Sequence, residues 1–384
     1  MASRPCTLED LDLSSHATSR GSVCAAAWRG RRVLVTGDTG FKGGWLVAWL
    51  RALGAEVTGY ALPPHTRPSF FVATGLGRQY QHVDGDVRDA SAVTNAMEKA
   101  DPQVVFHLAA QPLVRESYVD PIGTYATNVM GTVHLLEAAR RARSLRAMVV
   151  VTTDKCYENR EWPWGYRELD ALGGYDPYSS SKASVELVVQ AYRQSYFSPS
   201  LNSDHGLILS SARAGNVIGG GDWSDDRLIP DAVRAFESDS ILYVRSPEAL
   251  RPWQYVLEPL RGYLVLAQAG LSGDVGSARA FNFGPVDAET VPVAQLLDRF
   301  IAAYDRRGRW ELAPDAASQP HEAGLLKLDC SLARERLGWR PLTTLGHCLR
   351  TTATWYRAFY GDADPDALLK LTQAQIAEYG QEQP

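Results

Sequence analysis

Tyr178 and Lys182 stand four residues apart in Tyr178-Ser-Ser-Ser-Lys182, and so lie on one face of a helix. An ammonium one turn from a phenol favours the phenolate and should lower the tyrosine pKa toward neutrality. Such a tyrosine takes a proton from a hydroxyl as hydride leaves the same carbon. Thr153 ends the apolar run RAMVVVTT, which starts at Arg146. Its hydroxyl can bridge the tyrosine and a substrate oxygen. A third group is Gly37-x-x-Gly40-x-x-Gly43. It follows a β-branched strand pattern and opens a helix pattern, the context in which glycines let a pyrophosphate approach a helix N-terminus. One usual partner is missing. The second strand ends Gly59-Tyr60-Ala61-Leu62, with no acid for a ribose hydroxyl and no arginine for a 2′-phosphate. Asp86 sits where an adenine-edge contact is possible, or caps its own loop.

The elements that must position these groups alternate. Arg32 to Thr36 reads as a buried strand, GWLVAWLRALG as a helix ending at Gly54, and AEVTGYAL as a second strand. PQVVFHLAA from Gln103 reads as a strand and YATNVMGTVHLLEAARRA as a long helix. RAMVVVTT has the continuous apolar character of a strand buried on both faces. A helix over Tyr175 to Tyr196 and a strand at GLILSSARAGN, from Gly206, complete the rhythm. This predicts an α/β fold: a Rossmann-type doubly wound parallel sheet with a smaller C-terminal lobe. The expected division is a mobile extension over 1–29, a dinucleotide-binding domain over 30–213, a lobe over 214–360 and a tail over 361–384. Segments near 255–285 are apolar enough to return to the first domain. His107, on an apolar strand, reads as a core histidine.

Composition excludes several classes. The 384 residues carry 39 Lys+Arg and 44 Asp+Glu, a net charge of −5, which argues against nucleic acid as partner. No apolar run reaches the ~18 residues of a membrane span. The five cysteines are widely spaced, with no zinc pattern, so reduced thiols in a cytoplasmic setting and no metal site are expected.

The motifs together resemble the extended short-chain dehydrogenase/reductase family over about residues 30 to 345. They are the glycine turn with Phe41, HLAAQ from His107 to Gln111, the Asn128 helix and the Tyr178/Lys182 pair. Thr152-Thr153-Asp154-Lys155-Cys156-Tyr157 is similar to the CDP-glucose branch of the nucleotide-sugar 4,6-dehydratases, as are GNVIGGGDW, RPWQYVLEPL and HEAGLLKLD. The resemblance implies NAD as cofactor and CDP-glucose as substrate. It implies catalytic Thr153, Asp154 (acid), Lys155 (base at C5), Tyr178 and Lys182. A lysine base must be neutral, and an acid must hold its proton at an apolar strand end.

The resemblance also implies cofactor contacts. Around the turn these are Gly37, Thr39, Gly40, Phe41, Lys42 and Gly43. At the strand ends they are Tyr60, Asp86, Val87, Leu108, Ala109 and Ala110, then Asn128, Thr152, Tyr178 and Lys182. Substrate contacts are expected from Gln111, Arg213, Asn216, Arg251 and Tyr255, the last where histidine is common. Arg213 alternatively reads as a strand-end ion-pair partner, and Lys155 as a group that only orients Asp154. Trp223 and Trp253 read either as base-stacking or as core residues, and His321 with Glu322 as an inter-lobe pair. Pairing through two long helices, as a homodimer or homotetramer, is expected. An epimerase and a non-catalytic sugar-nucleotide sensor are the competing readings.

Overall fold

Arg32–Thr36 forms β1, with Val33, Leu34 and Val35 buried. In this computed structural model the described residues are 21–198, 206–286, 290–304, 308–314 and 324–381. Gly37 adopts φ 77°, a left-handed value that favours glycine, and turns the chain from β1 into α1, Phe41–Ala52. α1 is buried continuously from Gly43 to Leu50 because the sheet covers one side and the helices Leu257–Leu271 and Pro365–Gln381 pack on it as well. The chain continues through β2 (Glu56–Ala61), β3 (Gln81–Asp84), α2 (Ala90–Ala100) and β4 (Val104–His107). A helical run from Pro121 then passes through one wide turn at Ala126–Met130 into α3, Gly131–Ala139. β5, Ala147–Val151, is buried at every position, as its apolar run requires.

α4 spans Pro177–Ser195, its first turn capped by the Asp176 carboxylate on Ser179 N. β6 spans Ile208–Ala214. Beyond it come α5 (Leu228–Glu237), β7 (Ile241–Val244) and α6 (Leu257–Leu271). Then follow β8 (Ala280–Phe283), α7 (Val293–Tyr304), β9 (Arg309–Leu312), α8 (Leu345–Tyr360) and α9 (Pro365–Gln381).

Seven strands make one parallel sheet in the order β8-β6-β5-β4-β1-β2-β3. The order reverses between β1 and β4, which creates the crevice at the carboxyl edge where such folds bind ligands. β8 pairs with β6, Phe283 opposite Ala214, so the segment after residue 255 returns to the first lobe. β7 and β9 pair in the smaller lobe.

Both termini depart from expectation. Residues 21–29 are not a loose extension: Trp28 is fully buried and its indole donates to Gln268 Oε1 at 2.8 Å. The expected mobility of residues 1–20 lies outside the described residues. The tail is α9, which packs against α1 and buries Tyr379, whose hydroxyl donates to Glu258 Oε2 at 2.7 Å. His321 and Glu322 also lie outside the described residues. Cys24, Cys156, Cys330 and Cys348 are free thiols. Among the described residues no helix is long and apolar enough to cross a membrane, and no group of three acidic, His or Cys side chains could hold a metal.

Candidate active site

The carboxyl ends of β1, β4, β5 and β6 open into a cavity of about 1330 Å3 that also reaches the second lobe. That exceeds the ~300–1,000 Å3 of a single small-ligand pocket and has room for two large ligands side by side.

One end is the glycine turn. A Cβ on Gly37 would stand 2.7 Å from Ala109 N, and one on Gly43 would stand 2.0 Å from Gly37 O. Only bare backbone fits, and the turn brings the first N–H groups of α1 to the cavity, a cradle that suits a dinucleotide pyrophosphate. Gly37, Thr39, Gly40, Phe41, Lys42 and Gly43 all line it, with Val87, Leu108, Ala109 and Ala110 opposite. Thr39 Oγ1 pins the turn to β2 by donating to Leu62 O at 2.8 Å. Lys42 donates to Tyr263 OH at 3.0 Å, and burial, then the Arg227 and Lys182 charges, push it down to about 7. Asp86 lines the cavity and also caps its own loop, accepting from Arg88 N at 2.9 Å and Arg88 Nε at 2.8 Å.

Two expected cofactor contacts lie behind this wall instead of in it. Tyr60 is buried under the Asp86 loop and donates to Asp86 O at 2.9 Å. Asn128 is buried in the wide turn before α3. It accepts from Gln111 N at 2.9 Å and donates to Ser181 Oγ at 2.8 Å, so it fixes the wall. Gln111 itself lines the cavity, with its amide held by Thr124 Oγ1 at 2.9 Å.

The centre of the cavity is the junction of β5 and α4. Thr152, Thr153, Asp154, Lys155, Tyr178 and Lys182 all line it. Thr153 Oγ1 donates to Asp154 Oδ1 at 3.0 Å and accepts from Lys155 N at 3.3 Å. Asp154 is buried against Gly215, and burial raises its pKa despite the Lys155 charge and the Thr153 hydroxyl. Lys182 donates to Val151 O at 3.2 Å, and burial pushes it down to about 8 while Glu186 pulls the other way. The expected lowering of Tyr178 is not found. Burial pushes the phenol up to about 12, against the Thr153 hydroxyl and the Arg227 charge. Lys182 Nζ is turned to the strand carbonyl of Val151.

On the second lobe's side, Asn216 and Arg251 line the cavity. Arg251 Nη1 donates to Leu250 O at 3.0 Å, and its charge is felt by Asp154. Arg213 and Tyr255 do not reach it. Arg213 is a buried ion pair: Nη2 donates to Glu186 Oε2 at 2.9 Å and Nη1 to Tyr157 OH at 2.8 Å. Tyr255 points into the core between Trp45, His347 and Tyr379, and donates to Gln375 Oε1 at 3.1 Å. Trp223 packs among Trp355, Tyr356 and Phe359 in the core, whereas Trp253 lines the cavity. His107 is a core residue held by Thr36 Oγ1 at 2.7 Å and Thr132 Oγ1 at 3.0 Å.

The sequence reading missed Arg227. Its guanidinium lines the cavity near Tyr178 and is held by Asp222 Oδ2 at 2.9 Å. The available signal was a cation directly after the acidic pair Asp225-Asp226, just before an apolar helix.

A glycine turn at the end of β1 and a Thr-Tyr-Lys centre between β5 and α4 define a dehydrogenase/reductase of the Rossmann type. A buried acid and a lysine are added to that centre. A sequence profile described as "GDP-mannose 4,6 dehydratase" matches residues 34–352, and the chain belongs to that family. It is 47% identical over 352 residues to a CDP-glucose 4,6-dehydratase of Salmonella typhimurium, spanning 92% of this chain and 97% of that protein. A solved dTDP-glucose 4,6-dehydratase of Streptomyces venezuelae with NAD and TYD bound superimposes with a TM-score of 0.70 at 24% identity, over 86% and 98% of the two chains. A UDP-glucose 4-epimerase of Thermotoga maritima does so at 0.70 with 21% identity, over 85% and 99%. At these identities the structural likeness concerns the fold.

Proposed function

We propose that the chain is a CDP-glucose 4,6-dehydratase, converting CDP-D-glucose to CDP-4-dehydro-6-deoxy-D-glucose and water with NAD as resident cofactor. The observation that carries the reading is the buried Asp154 beside Thr153 and Lys155 in the Tyr178 cavity. An epimerase has no task for an acid and a lysine there. The 47% identity to the Salmonella protein supports the choice of CDP-glucose.

The glycine turn with Leu108 and Ala109 would hold NAD, which would supply a hydride acceptor for C4 and a donor for C6 with no net redox change. The chain's residues manage the protons. Tyr178 takes the O4 proton, with the Thr153 hydroxyl bridging phenol and substrate oxygen. The 4-keto group acidifies the C5 proton, which Lys155 removes and, once hydride has reached C6, gives back to C5. Asp154, whose proton burial retains, delivers it to the departing C6 hydroxyl. Arg251 and Arg227 are the cations for the substrate pyrophosphate, with Asn216 beside the sugar.

The helices at Val114–Val119 and Pro121–Tyr125 pack with α4 and expose Val119, Ile122 and Leu187 to solvent. We assign this face to pairing with a second copy, as a dimer or as half of a tetramer. The free thiols fit a reducing cytoplasm as the place of work.

The test is a product assay with CDP-, dTDP-, UDP- and GDP-glucose, followed by alkali-induced absorbance and mass. Loss of one water from CDP-glucose is expected. A changed C4 configuration without water loss would favour the epimerase, and no conversion of any substrate the sensor.

A further inference from the structure

β2 ends without a carboxylate, yet the fold carries one to β2 from elsewhere. Asp38 follows Gly37 in the glycine turn and is fully buried. Its side chain crosses onto β2: a Cβ on Gly59 would stand 2.1 Å from Asp38 Oδ2, so a glycine there is what admits it. Oδ2 accepts from Tyr80 OH at 2.5 Å and from His82 Nδ1 at 2.7 Å, both on the β3 side. His82 Nε2 also faces Asp84 Oδ1 at 3.2 Å, and its ring packs on Phe71. Asp38 Oδ1 is buried and has no hydrogen-bond partner among the described residues. Leaving such an oxygen unpaired is costly, and a costly group held by its neighbours points to a role beyond packing. The same turn and the exit of β2 form one end of the cavity, where Ala61, Leu62 and His65 line it.

We propose that Asp38 selects NAD over NADP, supplying from the first turn the negative charge that the end of β2 lacks. This rests on the reading of the cavity as a dinucleotide site. The carboxylate opposes a 2′-phosphate through its charge, while Tyr80 and His82 hold it in place. The hydrogen bond that His82 donates to Asp38 keeps the imidazole protonated to higher pH than usual, so His82 offsets part of that charge.

Calorimetric titration of the whole protein with NAD and with NADP tests this. The wild type should bind NAD more tightly. In Asp38→Asn, which preserves shape and hydrogen bonding, the gap should narrow roughly ten- to a hundredfold, the size of one charge pair near a protein surface. His82→Gln removes the offsetting cation and should widen the gap, which keeps the proposal testable if Asp38→Asn does not fold. A purely structural role would weaken both dinucleotides equally. An unchanged NAD-to-NADP ratio in Asp38→Asn, or a narrowed one in His82→Gln, overturns the proposal. A wild type that binds neither dinucleotide overturns it together with the cofactor reading.

Discussion

Arg213 Nη2 stands 2.9 Å from Glu186 Oε2, and both side chains are buried between α4 and β6. Burial pushes the Glu186 carboxyl up, but Arg213 and the hydroxyls of Thr152 and Ser211 pull harder, and it rests below the usual range. Thr152 lines the cavity while bonding Glu186 at 2.5 Å, so this pair braces the floor of the site.

Arg213→Ala should therefore destabilise the fold instead of weakening substrate binding. It strands a buried carboxylate, at a cost of about 3–5 kcal/mol. Arg213→Met combined with Glu186→Leu should recover much of that stability with an unchanged KM. Thermal denaturation and substrate saturation check the two halves. A large rise in KM at wild-type stability would return Arg213 to the substrate site.

Asp154→Asn should still oxidise C4 but lose water elimination, by about 10²–10⁴-fold. Single-turnover product analysis reads this as accumulation of the 4-keto sugar with its C6 oxygen retained. Full formation of 4-keto-6-deoxy product would refute the acid role.

The pH dependence has a definite sign. Burial raises the Asp154 pKa, so the acid form persists above the ordinary carboxylate range. Elimination should then fall as pH rises through that raised value. The folded state also binds this proton more tightly than the unfolded one, so stability should fall with pH over the same interval. Asp154→Asn should flatten that slope, as pH-dependent urea denaturation would reveal. An identical slope in wild type and variant contradicts the raised pKa.

Lys155→Ala should abolish exchange of the C5 proton with deuterated solvent and leave C4 oxidation in place. Mass spectrometry of recovered substrate and product measures it. Undiminished exchange would reduce Lys155 to an orienter of Asp154.

Leu187→Glu on the exposed face of α4 should convert the assembly to monomers in light scattering. An unchanged mass would place the pairing surface elsewhere.

Much of this was legible in the sequence because it depends on local pattern. The β1 run, the glycine turn and the four-residue Tyr178–Lys182 spacing each specify their geometry without distant help. Arg213 was misplaced because strand alternation fixes only which residues share a face. Ser211 and Arg213 share one, and it turned out to be the α4 face. Glu186, four residues after Lys182, was the signal: a carboxylate on a buried helix face needs a partner. Tyr255 was misplaced because α9, more than 100 residues away, brings Gln375 and Tyr379 against it. Asp38 was passed over as an unassigned position of the glycine turn, since nothing local shows Tyr80 and His82 arriving from the β3 side.

The most direct test uses CDP-glucose deuterated at C4. The account predicts 4-keto-6-deoxy product that has lost one water and carries the deuterium at C6, because one site oxidises C4 and returns the same hydride. Deuterium retained at C4, or returned there with inverted configuration, would contradict it.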